Sequence, residues 1–206
     1  MGKIRMARFV ALMFSLAALG GCARSAPIKY YILRSMQGPA PLTKTAPARS
    51  MVLGVGPVTI PPYLDRPQIV TKPSPDTLQF AEFDRWAEPL DKNIARVFAD
   101  DLSRRIPDAQ VCVFPWRRSI PVKYQITLDI LHLEKIEGDR VLLEASWKIL
   151  GNKGKKLLLM NRSKVMEPVE AGAGFSPIAS AESRAVAALS RQIATALASM
   201  AAAQTR

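Results

Sequence analysis

The sequence predicts an α+β fold: an antiparallel sheet meander with two amphipathic helices packed on one face. Three observations carry this expectation. The runs 122–130 and 141–149 alternate apolar and polar residues, the period of half-buried strands. The run 89–106 and the alanine-rich stretch after Ser176 repeat apolar residues at three- and four-residue steps, as helices with one buried face do. Gly138-Asp139 and Gly151-Asn152-Lys153-Gly154 separate successive strand runs, the turn chemistry of neighbouring antiparallel strands.

Residues 1–21 stand apart from this domain. Lys3, Arg5 and Arg8 flank an apolar run over 9–19, and Gly20-Gly21 precede Cys22. A basic flank, a short apolar run and small residues at its end make an export signal. The run is too short to span a bilayer, which takes about 20 apolar residues. Leu19-Gly20-Gly21-Cys22 resembles the lipobox of bacterial lipoproteins, in which the signal is cut before a cysteine that then carries the lipid. An ordinary secretory signal with an incidental cysteine is the alternative. The chain divides accordingly into a signal peptide over 1–21, a lipidated tether over 22–29 and a single domain over 30–206. Seven residues separate Cys22 from Tyr30, a reach of roughly 25–30 Å even when extended.

Tyr30-Tyr31-Ile32-Leu33 reads as a first short strand. Residues 34–50, with Pro39, Pro41 and Pro47, read as an exposed loop. Met51–Val58 is a strand stopped by prolines. Beyond Pro61-Pro62 the cluster Tyr63-Leu64-Asp65-Arg66-Pro67 forms a rigid loop, which leads into a strand at 68–71 paired with another near 77–81. Pro89 opens a helix whose stripe is Leu90, Ile94, Val97, Phe98, Leu102 and Ile106, and Pro107 ends it. Asp101 falls at the edge of that stripe without a sequence-level account. Gln110–Phe114, the two alternating runs and 155–165 supply four further strands. In the last helix Val186, Leu189, Ile193, Leu197 and Met200 form the stripe, and alanine favours the helical state.

The 206-residue chain carries a net charge of +12. Loss of the signal removes Lys3, Arg5 and Arg8 and no acid, leaving +9. Export and the absence of aromatic-interleaved basic motifs argue against nucleic acid as partner. A solvated basic surface and attraction to an anionic leaflet are the two remaining accounts. With Cys22 acylated, Cys112 stands alone in an apolar strand run, a buried small hydrophobe.

The chemistry-bearing content is thin. His132 is the only histidine, so a metal site is unsupported and no cofactor is expected. No G-x-S-x-G, Walker A or G-x-G-x-x-G run is present. The densest cluster of reactive groups is Glu82-Phe83-Asp84-Arg85-Trp86-Ala87-Glu88-Pro89-Leu90-Asp91. Its acids suit a helix N-terminus, with Phe83 and Trp86 packed beneath the helix. Paired carboxylates for acid–base work and an aromatic–Arg binding surface are the other readings.

Three longer runs are more specific. They are Gly56-Pro57-Val58 through Val70, Phe80–Asp91 with Asn93–Val97, and Val113-Phe114-Pro115-Trp116. With the lipobox and the alanine-rich last helix, they resemble ABC-type transport auxiliary lipoproteins of the PqiC/YmbA type across nearly the whole mature chain. The resemblance implies a non-enzymatic, periplasm-facing lipoprotein of a Gram-negative outer membrane. It also implies a partner with an MCE domain of the PqiB type and a part in moving lipid between membranes and keeping the envelope intact. Ala23, rather than an Asp, after Cys22 fits outer-membrane sorting. Assembly into a homo-oligomer is compatible with such a role. The expected partner surface is Tyr63, Leu64, Asp65, Arg66 and Pro67 together with the Phe83, Asp84, Arg85 and Trp86 turn. Direct binding of phospholipid between sheet and helices is the second reading, and an envelope hydrolase using Asp84 or Glu88 the third.

Overall fold

The computed structural model of the chain describes residues 26–35 and 51–204. Cys22, the signal segment and most of the proline-rich 34–50 stretch lie outside the described residues. Eight strands and two helices follow in order: β1 (Lys29–Tyr31), β2 (Met51–Thr59), β3 (Gln68–Ser74), β4 (Thr77–Trp86), α1 (Leu90–Arg105), β5 (Ala109–Val113), β6 (Tyr124–Ile136), β7 (Arg140–Gly151), β8 (Lys156–Pro168) and α2 (Ser176–Gln204). The α+β class is as the sequence predicts. No helix among the described residues is long and apolar enough to cross a membrane.

The meander is one part of a larger mixed sheet. β6, β7 and β8 pair antiparallel in sequence order. The other edge of β6 is shared by two branches. β2 runs parallel to its first half, Leu53 opposite Tyr124 and Thr59 opposite Asp129, and β5 runs parallel to β2. β3 runs parallel to its end at Lys135 and Ile136, pairs antiparallel with β4, and β4 carries β1 in parallel. The parallel pairs arise where the chain returns to the same end of the sheet before the next strand. α1 provides one such return between β4 and β5, a connection too long for a hairpin. Alternation of apolar and polar residues fixes which face a strand buries but not the direction of its neighbour.

Both helices pack on one sheet face and against each other. Ile94, Val97, Phe98 and Leu102 of α1 and Val186, Leu189, Ile193 and Leu197 of α2 are buried. They meet Leu53 and Val55 of β2, Ile126, Leu128 and Ile130 of β6, and Val141, Leu143, Ala145, Trp147 and Ile149 of β7 in one core. A register shift between Ile130 and His132 adds Leu131 to the strand. Leu133 is thereby returned to the helix side opposite Leu143, while His132 and Glu134 face outward with Glu144 and Leu142. Hereafter the sheet surface away from the helices is the outer face.

Candidate functional site

The three specific runs, separated by up to sixty residues, meet where the sheet forks. Gly56 sits at φ +112° at the end of β2, and a Cβ there would lie 2.8 Å from Cβ of Phe114. Only glycine adopts that backbone without strain and lets the Phe114 segment approach so closely. The Phe114 N–H donates to the Val55 carbonyl at 2.8 Å. One turn back, Gly54 lies under the indole of Trp116, with 2.6 Å from a built Cβ to the ring. Phe114 and Trp116 stand edge to face at 5.5 Å. Phe114 remains 45% exposed. Asp91, Lys92 and Ala95 of α1 close a cleft of about 70 Å³ against Gly56, Pro57 and Phe114. The aromatic ridge thus rests on glycines of the first run and borders the helix start of the second.

The Tyr63–Pro67 loop is built from inside. Leu64 is 2% exposed, and its N–H donates to the Pro61 carbonyl. The Tyr63 hydroxyl donates to Glu134 Oε2 at 2.9 Å, with the Leu131 carbonyl at 3.2 Å and His132 Nδ1 at 3.3 Å. Glu134 is fully buried. It also accepts the Leu133 N–H at 2.8 Å and faces His132 Nδ1 at 2.9 Å. Burial first, and the Glu134 charge second, push the Tyr63 phenol well above its usual range. His132 therefore belongs to a structural network around Glu134. Arg66 lies 4.0 Å over the Phe80 ring, a cation–π contact. Asp65 and Pro67 are exposed.

The second half of the expected partner surface differs from its sequence reading. Phe83–Trp86 is not a turn but the last part of β4. The Trp86 N–H donates to the Pro67 carbonyl at 2.6 Å, joining the two halves. Trp86 is 5% exposed and belongs to the core, so it positions the surface rather than presenting itself on it. Arg85 faces Gln68 and Tyr30 in register, and Phe83 is half-buried. Asp84 accepts the Tyr31 hydroxyl at 2.7 Å. Glu88 accepts Asn93 Nδ2 at 2.7 Å and pairs with Arg96. Both carboxylates considered for acid–base work are thus engaged in structural bonds. Among the described residues no three His, Cys, Asp or Glu side chains group as a metal site.

A polar clamp escaped the sequence reading. The segment after β1 threads between the helices. Leu33 is fully buried and its N–H donates to Asn93 Oδ1 at 2.6 Å. The Arg34 N–H donates to Ser183 Oγ at 3.1 Å. Ser35 Oγ donates to Asp101 Oδ1 at 2.5 Å, and Ser190 Oγ reaches the other Asp101 oxygen at 3.4 Å. Burial raises the Asp101 carboxyl, while the Ser35 bond and the Arg105 charge pull the other way. The signal was present as two polar residues, Asn93 and Asp101, on the buried face of α1.

Two crystal structures share the fold. One is of an uncharacterized protein, 18% identical over 84% of this chain and 99% of that one, with a TM-score of 0.68. The other is of a Xanthomonas campestris protein, 17% identical over 87% of this chain and 99% of that one, also at 0.68. No curated protein sequence matches the chain. Residues 31–194 match the family described as ABC-type transport auxiliary lipoprotein component. That match takes in the forked sheet from β2 onward, the Phe114 ridge and both polar ends of the clamp, and the chain belongs to this family of auxiliary lipoproteins.

Proposed function

We propose that the protein is a lipid-anchored docking subunit of an intermembrane lipid transport system. Cys22 carries the lipid in the outer membrane, the domain faces the periplasm, and an MCE-domain protein reaching from the inner membrane is the partner it holds. The observation that carries this reading is the meeting of the three runs at the fork. Exposed Phe114, Pro57, Asp65 and Pro67 stand on backbone fixed by Gly56, by Leu64 and by the Trp86–Pro67 bond. Rigid apolar and aromatic anchors beside polar groups are what protein contact surfaces use. The engagement of Asp84 with Tyr31 and of Glu88 with Asn93 and Arg96 favours docking over hydrolysis.

Photo-crosslinking amino acids at Asp65, Phe83 and Phe114 in living cells test the assignment. The expected adduct contains an MCE-domain protein, from at least two of the three positions. Adducts from exposed sites elsewhere, such as Asp100 and Gln192, with none from these three, would sink the surface. Trp86 is unsuited to such a test, because replacing it empties the core and costs about 3–5 kcal/mol.

A further inference from the structure

The strand nearest the tether is apolar on both sides. Tyr31 and Leu33 face the core. Ile28, Tyr30 and Ile32 alternate with them and are exposed by 42%, 63% and 47%. Tyr30 lies in register with Arg85, and Arg85 with Gln68. Gln68 shares the outer face with Val70, which is opposite Phe80. Phe80 and Leu78 are exposed as well. Five large apolar side chains on β1, β4 and their flanks therefore turn to the outer face of one branch. The basic residues accompany them: Arg66 lies over Phe80, Arg85 is beside Tyr30, and Lys72 is on the outer face opposite Ile136.

Such a surface needs an occupant. The length of chain preceding it points to one. Five residues stand between Cys22 and Ile28, so Ile28 lies within roughly 20 Å of Cys22. A domain of this size has a radius of gyration of about 16 Å. A tether that short keeps β1 within about 20 Å of the membrane, so its exposed side chains are within reach of the bilayer. Isoleucine and leucine can enter the boundary between headgroups and acyl chains, tyrosine is suited to it, and arginine and lysine reach the phosphates above. The short β1 ladder makes strand addition a poor alternative use of this edge.

We propose that the outer face of the β1–β4 branch lies on the phospholipid bilayer that holds the Cys22 anchor. Ile28, Tyr30, Ile32, Leu78 and Phe80 dip into its interface, and Arg66, Arg85 and Lys72 meet its phosphates. This rests on the reading of Cys22 as acylated. The domain is then seated in a defined orientation, with the helices turned away from the membrane.

The test uses the acylated full-length mature lipoprotein in phosphatidylethanolamine–phosphatidylglycerol vesicles. Single spin labels are placed by Tyr30→Cys, Ile32→Cys, Phe80→Cys, Asp100→Cys and Gln192→Cys in a Cys112→Ser background. Collision with oxygen should exceed collision with a water-soluble nickel chelate at 30, 32 and 80, and the order should reverse at 100 and 192. Flotation with the vesicles while labels at 30, 32 and 80 remain as aqueous as those at 100 and 192 overturns the seating and leaves the anchor standing. Failure to float overturns the anchor and the seating together. Aqueous labels that become shielded only when an MCE-domain protein is added assign the face to a protein partner and overturn the membrane contact.

Discussion

Glu182 is a carboxyl in the core, 1% exposed, with Oε2 lacking a hydrogen-bond partner. Desolvation, and secondarily the nearby Glu134 charge, raise its pKa well above the usual carboxylate range. A raised folded value stabilises the protein fully below the unfolded pKa of about 4.3, and that contribution is lost as pH rises toward and through the folded value. Glu182→Gln does not titrate. Its stability relative to wild type should therefore grow from pH 4.5 to pH 7.5, by up to ~1.4 kcal/mol per pH unit. Urea titrations of both proteins at pH 4.5, 6 and 7.5 measure the difference, and a constant difference would contradict the assignment. A glutamate amid the alanines of the last helix was visible in the sequence. Its isolation was not, because the sequence does not show what packs over a helix face. The same limit governed Trp86. Its aromatic character suggested a surface anchor, whereas it packs in the core, and the exposed aromatics of the three runs include Phe80 and Phe114.

At the scale of elements, the sequence patterns located all ten, with ends within a few residues except at the ends of β4 and of β6, where the register shift after Ile130 breaks the alternation and the strand runs on to Ile136. In β4 the acids and Pro89 suggested a lead-in to the helix, while Phe83, Arg85 and Trp86 continue the alternation that pairs β4 with β1 and β3. Parallel pairing was illegible because its partners lie on the far sides of connections that sequence spacing does not orient. The unexplained Asp101 was the clearest trace of a long-range feature. Its partners Ser35 and Ser190 are 66 and 89 residues away. Together with Asn93 and Ser183 it fastens the segment after β1 to both helices. Asp101→Ala should cost about 1–3 kcal/mol by taking the acceptor from the Ser35 hydroxyl, while Ser190 keeps its bond to the Val186 carbonyl, and Asp101→Asn, which keeps an acceptor, should cost less. Amide exchange at Leu33 and Arg34 should quicken in the alanine variant, well beyond the change in the middle of β7. Equal acceleration everywhere would mean that Asp101 supports the core generally rather than the clamp.

Across the whole molecule, the proposed Cys22 anchor is joined to the clamp by few residues: seven separate Cys22 from Tyr30. Position near the membrane then becomes part of the function proposed for the domain. In a flexible-chain description the local concentration of a tethered module falls as about the −3/2 power of linker length. Twenty Gly-Ser residues inserted after Ala26, beside the seven that now precede Tyr30, would lower it by roughly eightfold. The insertion touches no residue of the clamp, the ridge or the outer-face patch, so the fold and the membrane fraction of the protein should be unchanged. Because the seated outer face still holds the domain at the bilayer, crosslinking to the partner from Phe114 should fall by less than this factor. Unchanged crosslinking would show either that the apolar outer face alone keeps the domain in place or that distance from the anchor is immaterial. Repeating the insertion with Tyr30→Glu and Phe80→Glu separates the two, because crosslinking then collapses only where the seated face had replaced the short tether.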